Sequence, residues 1–363
     1  MKPKDRINNA LIRKKTDRTP ICMWYHPETR KKLSLVLEIE PAGIDLVMGN
    51  DLLMTWVNNN YAMEGIVHRS EGMGHTDAWG IKWEKRGEFN QIVHHPLNNG
   101  EPGTILDYDF PWDHTDNLLS NMESISGSSD YFIGCDVSPC VFEMYWRLRG
   151  MEEAILDMAV NPELANEMFS RCASFAEHLG LKAADRFKMD LLWTGDDVAG
   201  KNGMIMSPEL WREQIKPNLR QVILAGKQAG LPVAYHCCGA MHPIIGDLIE
   251  LGVDLLNPVQ SSCPGMNPAD LKAEFGQYLT FMGGIDTEDI LISGSPKEVR
   301  NYAENIIEIM TNDGGGYILA GTHTLAPETP LENIFALFLA AGLSKEKIYD
   351  KASDYRKKSR KKI

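Results

Sequence analysis

The sequence predicts an α/β protein, a single (β/α)8 barrel spanning residues 1–363, and three observations lead there. Short apolar runs alternate with helical patterns from residue 131 to the last third of the chain, which is the signature of a parallel sheet. At 363 residues the chain has the length of one barrel with an extension and an insertion. The predicted strands also end in polar, chemically capable residues, as barrel strands do at their carboxyl ends.

The elements follow in order. A basic helix is expected over 4–15, leading through Asp17-Arg18-Thr19-Pro20 into a first strand, Ile21 to Tyr25, that ends at His26-Pro27-Glu28. These last residues read either as a polar turn with a helix start or as a substrate contact. From about 45 to 130 the pattern is irregular, and segments such as Gly65-Ile66-Val67-His68 and Trp79-Gly80-Ile81-Lys82-Trp83 suggest hairpins and loops. The histidines of this stretch lack metal-ligand spacing.

After it come a strand over 131–135, helices over 141–149, 151–160 and 162–186, and the strand Leu191 to Gly195. Ser207-Pro208-Glu209 opens a helix reaching Ala229, with proline in its first turn and an acid beside it. The apolar strand Leu231 to Gly239 follows. Strands are then expected over 253–257, 279–283 and 316–320, with helices over 241–251, 268–275, 295–311 and 330–341. The basic end, Tyr355 to Lys362, reads as a solvated, frayed tail.

A formal net charge of -13 argues against nucleic acid as a partner, because phosphate binding needs a surplus of Lys and Arg. The first 18 residues are basic and polar without a secretory apolar core, and no apolar run is long enough to span a membrane. A cytoplasmic protein is expected. Seven cysteines in a chain of this size are read as reduced thiols, some of them ligands. Barrels of this size often pair, so a homodimer is an expectation without a visible interface.

The most informative stretch is Tyr235-His236-Cys237-Cys238-Gly239. On a strand, alternate residues share a face, so His236 and Cys238 point one way and Cys237 the other. An imidazole and a thiolate side by side are half of a zinc site, and His323, after the last strand, is the natural third ligand. His323 reads otherwise as a hydrogen-bond donor to substrate. The fourth position is open to water, a substrate atom, Glu143 or an Asp. Asp196-Asp197 ends another strand, where the pair can act as acid and base, orient a ligand imidazole, or cap the next helix. Residues lining the same pocket would be Trp24, His26, Glu28, Trp193, Tyr235, Asn257 and Asp286. The near phosphate-loop Gly195 to Asn202 is discounted, since Asn202 stands where Ser or Thr would hold magnesium and two aspartates would repel phosphate.

Several of these segments are collinear with a known family. Asp17-Arg18-Thr19-Pro20, Asp77-Ala78-Trp79-Gly80, Trp146-Arg147-Leu148-Arg149-Gly150, Gly195-Asp196-Asp197, Ser207-Pro208-Glu209-Leu210, His236-Cys237-Cys238-Gly239 and Pro327 to Asn333 resemble the uroporphyrinogen decarboxylase superfamily, in particular its corrinoid-dependent methyltransferase branch. The resemblance implies a barrel, zinc, and a methyl group moving between a small substrate and a corrinoid protein. Thiol-methylating members carry His-x-Cys and a later Cys as zinc ligands. His236 and Cys238 match the first two, and the later Cys position falls on His323, which implies another substrate, such as a methoxylated aromatic.

Porphyrinogen decarboxylases bind four acidic side chains with an Arg-rich segment. Here that segment is Met23 to Glu28, with no Arg before Arg30. A metal-independent decarboxylase of another substrate is the alternative reading. The chain has no Asp-x-His-x-x-Gly segment of the cobalamin-binding kind, so the corrinoid is expected on a separate protein.

Overall fold

The structure is a computed structural model and describes residues 1–58, 68 and 70–359. Its principal strands are β1 (Leu52–Trp56), β2 (Phe132–Asp136), β3 (Leu191–Gly195), β4 (Val233–His236), β5 (Leu255–Val259), β6 (Thr280–Ile285) and β7 (Tyr317–Gly321). The helices that matter below are α1 (Pro3–Leu11), α2 (Pro27–Leu37), α3 (Phe142–Arg149), α4 (Pro162–Arg186), α5 (Lys216–Gln228), α6 (Pro296–Thr311) and α7 (Lys345–Ser359). The chain divides into two compact units. The first comprises Met1–Leu53, Ser129–Phe132 and Asp254–Ile363, and the second Met54–Ser128 and Ile133–Val253.

In the first unit β5, β6 and β7 pair in parallel in that order. All three are buried throughout, which is why they read as continuous apolar runs rather than alternating ones. The expected first strand, Ile21 to Tyr25, forms only two isolated bridges, Ile21 to Leu319 and Tyr25 to Leu325, both parallel. Its hydrogen bonds are nevertheless strand-like at both ends. Cys22 N–H donates to the Leu319 carbonyl and Leu319 N–H to that of Pro20, while His26 and Leu325 repeat the pattern through Leu325 O and Trp24 O.

A fully buried carboxylate ties this region together. Asp51 accepts Arg6 Nη1–H at 2.6 Å, Arg18 Nη2–H at 3.0 Å and the Ile21 N–H at 2.9 Å. Asp17 takes the other side of the Arg6 guanidinium at 2.6 Å. The Asp17-Arg18-Thr19-Pro20 segment is thus a structural clasp between α1 and the strand entry.

The carboxyl end differs from the frayed tail expected from its charge. Lys345 to Ser359 is one helix, α7. The Tyr355 hydroxyl donates to Glu40 Oε1 at 2.8 Å, and Arg356 bonds the Leu37 carbonyl. An aromatic and a guanidinium on one face outweigh the run of lysines; residues 360–363 lie outside the described residues.

In the second unit β2, β3 and β4 are parallel. Of the helices in this unit, α4 runs over Pro162–Arg186, as the sequence predicts. The expected single helix over 207–229 is interrupted. A short turn, Pro208–Leu210, passes into a π-helical stretch, Trp211–Ile215, before α5. The region before β2 holds a three-stranded antiparallel sheet of Gly74–Thr76, Lys82–Arg86 and Phe89–His94. The expected segment 65–68 lies outside the described residues except for His68, and strand β1 was not expected at all. No helix among the described residues is long and apolar enough to cross a membrane.

The Asp51 cluster generates a prediction. Asp51→Ala leaves two guanidinium groups without their buried counter-charge, a loss of roughly 3–5 kcal/mol for breaking a buried pair from one side. The midpoint of urea unfolding should fall accordingly. A shift no larger than that of an exposed Asp→Ala variant such as Asp354→Ala would show that the cluster is not a stabilising centre.

Candidate metal centre

β4 ends at His236, and Cys238 follows two residues on with the alternation of burial that the sequence predicts. Cys237 is fully buried, whereas His236 and Cys238 are half-buried. Burial pushes the Cys237 thiol well above its usual range, so it stays protonated and inert. The chain turns at Gly239, three residues past the end of β4, for a steric reason. Its φ is +95°, and a Cβ there would lie 2.5 Å from the Gly200 carbonyl oxygen. Only glycine lets the chain turn against the Ala199–Met204 hairpin, leaving Cys238 just beyond the strand end.

Asp197, His236 and Cys238 form the group that the structure brings together, with one ligand atom from each all within 4.8 Å of one another. Cys238 Sγ lies 3.6 Å from His236 Nε2, and His236 Nε2 lies 3.9 Å from Asp197 Oδ1. Zinc–sulfur and zinc–nitrogen bonds of ~2.3 and ~2.0 Å at a tetrahedral angle place those two atoms roughly 3.5 Å apart. The sulfur–nitrogen spacing fits a shared ion, and the donor set of thiolate, imidazole and carboxylate is one that zinc accepts. Asp197 Oδ1 also accepts the Cys238 N–H at 2.8 Å, locking the two strand ends together.

The two adjacent aspartates divide their work. Asp197 is partly exposed, its side chain 39% accessible, and belongs to the group of three. Asp196 is fully buried and caps α3 from another strand: its oxygens accept the N–H groups of Val141 at 3.0 Å, Phe142 at 3.1 Å and Glu143 at 3.1 Å. Burial pushes its carboxyl up to about 7 against the pull of those three donors.

Sequence reasoning gave α3 no part beyond Glu143 as a fourth-ligand option. The structure shows Glu143 Oε2 accepting the Asp197 N–H at 3.1 Å, while Arg147 Nη2 donates to Glu143 Oε1 at 2.6 Å. The i,i+4 spacing of Glu143 and Arg147 was the available signal.

The other predicted residues are placed as follows. Trp193 is fully buried, its ring centroid 6.5 Å from that of His236. Tyr235 is also buried, on the opposite face of β4, and its hydroxyl donates to the Asp196 carbonyl at 3.3 Å.

The remaining candidates belong to the first unit. His26 caps α2, its Nδ1 accepting the Glu28 N–H at 3.2 Å, and Glu28 itself is exposed. Trp24 is half-buried. Asn257 is buried and donates to the Met282 carbonyl at 3.4 Å, and Asp286 accepts the N–H groups of Glu288 and Asp289, both at 2.8 Å. His323 is exposed in the turn after β7 and stands outside the group of three.

At the end of β2 sits a second buried carboxyl, Asp136. It accepts the Ser138 N–H at 2.8 Å and hydroxyl at 2.5 Å, and burial pushes its pKa up to about 8. With Asp196, it makes the folded chain hold protons that the unfolded chain has already lost. Stability is therefore full below about pH 4 for these two groups and falls as the pH rises through 7 and 8. Asp136→Asn should flatten that decline in unfolding free energy measured from pH 5 to 9; an unchanged slope would mean that Asp136 does not titrate in this window.

A model of the family described as uroporphyrinogen decarboxylase (URO-D) matches residues 132–342. Methylcobamide:CoM methyltransferase MtaA of Methanosarcina barkeri is 26% identical over 151 residues, 42% of this chain and 41% of that protein. Methylated-thiol--coenzyme M methyltransferase of Methanosarcina mazei is 23% identical over 217 residues, 59% of this chain and 54% of that protein. The chain thus spans about half the length of these relatives or less. A solved structure of a methyltransferase from Methanosarcina mazei superposes with a TM-score of 0.68 at 17% identity, covering 94% of this chain and 98% of that one, a likeness of fold.

Proposed function

The chain belongs to the uroporphyrinogen decarboxylase family, and from that premise we propose that it is a zinc-dependent methyltransferase moving a methyl group between a small substrate and a corrinoid protein. The observation that carries this reading is the group of Asp197, His236 and Cys238, whose sulfur–nitrogen separation of 3.6 Å suits a shared metal ion. The similarity to proteins named methyltransferases supports the reaction type.

His236 Nε2, Cys238 Sγ and Asp197 Oδ1 would hold the ion, with His323 as the further ligand proposed from sequence. When bound, zinc supplies a Lewis acid that stabilises negative charge on the substrate heteroatom losing or gaining the methyl group. The protein's own part is positioning. Glu143 holds the Asp197 backbone, Asp197 holds that of Cys238, and the buried Asp196 fixes the helix that carries Glu143.

We carry a methoxylated aromatic as the substrate class, because His323 replaces the later Cys of thiol-methylating members. The corrinoid is proposed to arrive on a partner protein. The closed eight-stranded barrel, a single domain over 1–363, a cytoplasmic setting and a homodimer belong to the same reading.

Elemental analysis of the purified protein should give one zinc per chain. Cys238→Ala and His236→Ala should lose it and Cys237→Ala should keep it, because Cys237 faces the buried side. Equal loss from Cys237→Ala would refute the strand register, and retained stoichiometric zinc in Cys238→Ala would refute the site. His323→Ala should bind zinc more weakly and His323→Cys should retain it; unchanged affinity in the alanine variant removes His323 from the ligand set.

The zinc-loaded protein should demethylate a methoxylated aromatic when given a reduced corrinoid protein, followed by the cobalt absorbance. Loss of a carboxyl group from a substrate by metal-free protein, with no methyl transfer, would instead favour the decarboxylase alternative.

A further inference from the structure

The first unit contains a cavity of about 440 Å3 at the amino end of β7, between the basic segment 14–20 and the loop 311–316. Ligand pockets run from roughly 300 to 1,000 Å3. Lys14, Lys15 and Thr16 line one wall, and Asn312 and the glycines of the loop line the other.

The glycines press this loop onto the basic segment. A Cβ on Gly315 would lie 2.8 Å from the Arg13 carbonyl carbon and 2.8 Å from the Lys14 carbonyl oxygen. Only a residue without a side chain allows that approach, and it fixes the backbone from which Lys14 projects.

The charges around the cavity do not cancel. Asp17 is engaged by Arg6, Asp51 by Arg6 and Arg18, and Asp313 by Lys272 at 2.8 Å. Each carboxylate close in sequence therefore already has a cation of its own. Lys14 and Lys15 are exposed and pair with no carboxylate among the described residues. The end of α6 nearby contributes about half a negative charge, which leaves the two ammonium groups in surplus. That surplus stands out in a chain of net charge -13.

From this juxtaposition we propose that the cavity binds the phosphate group of a small molecule. Phosphate is favoured over a carboxylate for a geometric reason. Carboxylates are best recognised by the bidentate fork of arginine, and the arginine in this wall, Arg18, is committed to Asp51 at 2.9 Å. Lysines act as point charges on phosphate oxygens. The Thr16 hydroxyl and the Asn312 amide make no hydrogen bond with another described residue and add neutral donors.

The site is tested by calorimetry on the full chain at fixed ionic strength, titrating inorganic phosphate and, separately, ADP. Saturable one-site binding is expected. The double variant Lys14→Gln/Lys15→Gln should bind at least about tenfold more weakly, since it loses two charged hydrogen bonds. Lys297→Gln/Lys347→Gln removes the same charge from exposed positions elsewhere and should bind as the parent does. Tighter binding of ADP assigns the site to a phosphate ester, and tighter binding of phosphate assigns it to the free ion. Absence of saturable binding by both probes, or equal weakening in both double variants, overturns the proposal. The altered lysines are exposed, so all variants should keep the parent's circular dichroism and melting temperature.

Discussion

The group of Asp197, His236 and Cys238 depends on a carboxylate that is not part of it. Asp196 is fully buried and accepts three N–H groups at the start of α3, donors that a helix cannot satisfy from within its own first turn. Each buried N–H left unpaired would cost on the order of 1–3 kcal/mol, so the cap sets where α3 begins and how it points. Glu143, held in that first turn, reaches the Asp197 N–H, and Asp197 in turn holds the Cys238 N–H. Three successive hydrogen-bonded steps thus lead from a buried cap to the thiol. Such a chain fixes the positions of the three side-chain carriers in advance, which would spare a bound ion the cost of ordering them.

The first unit uses the same device with different partners. Asp51, equally buried, gathers Arg6, Arg18 and the Ile21 N–H. Both carboxylates are buried against donors from segments far apart in sequence, and both sit where chain direction must be fixed. They differ in charge balance. Asp51 faces two guanidinium groups, whereas Asp196 faces only backbone dipoles and has the neighbouring Glu143 charge raising its pKa further. Burial raises both carboxyls; at Asp51 the two guanidinium groups pull against that rise, whereas at Asp196 only backbone N–H groups do.

Much of this was legible in the sequence, and the failures have physical causes. Helix α4 and the strand bearing Tyr235 and His236 follow from periodicity and punctuation, and the opposed faces of Cys237 and Cys238 follow from the two-residue repeat. Strand β1 escaped because Leu52–Trp56 is short, partly exposed and framed by polar residues, so its pairing is set by neighbours remote in sequence. Helix α7 escaped because its lysines suggested solvent while Tyr355 and Arg356 made the contacts. The sequence named both Asp196 and Asp197 and allowed that one of them caps a helix. It could not say that the capped helix is α3, which precedes it by some fifty residues, because a cap supplied from another strand has no local pattern.

The donor set has a consequence for charge. His236 is neutral as a ligand, and Cys238 and Asp197 would each bring one negative charge, so together they balance a divalent cation. A site with two thiolates and an imidazole reaches the same balance with softer atoms. Replacing a sulfur donor by a carboxylate oxygen leaves the total charge unchanged but donates less electron density to the ion, leaving a stronger Lewis acid. A stronger Lewis acid suits an oxygen heteroatom, a hard donor, better than a sulfur one. The carboxylate of Asp197 would thus complete the charge balance beside Cys238, and the same oxygen orders the backbone that carries the thiol by accepting the Cys238 N–H.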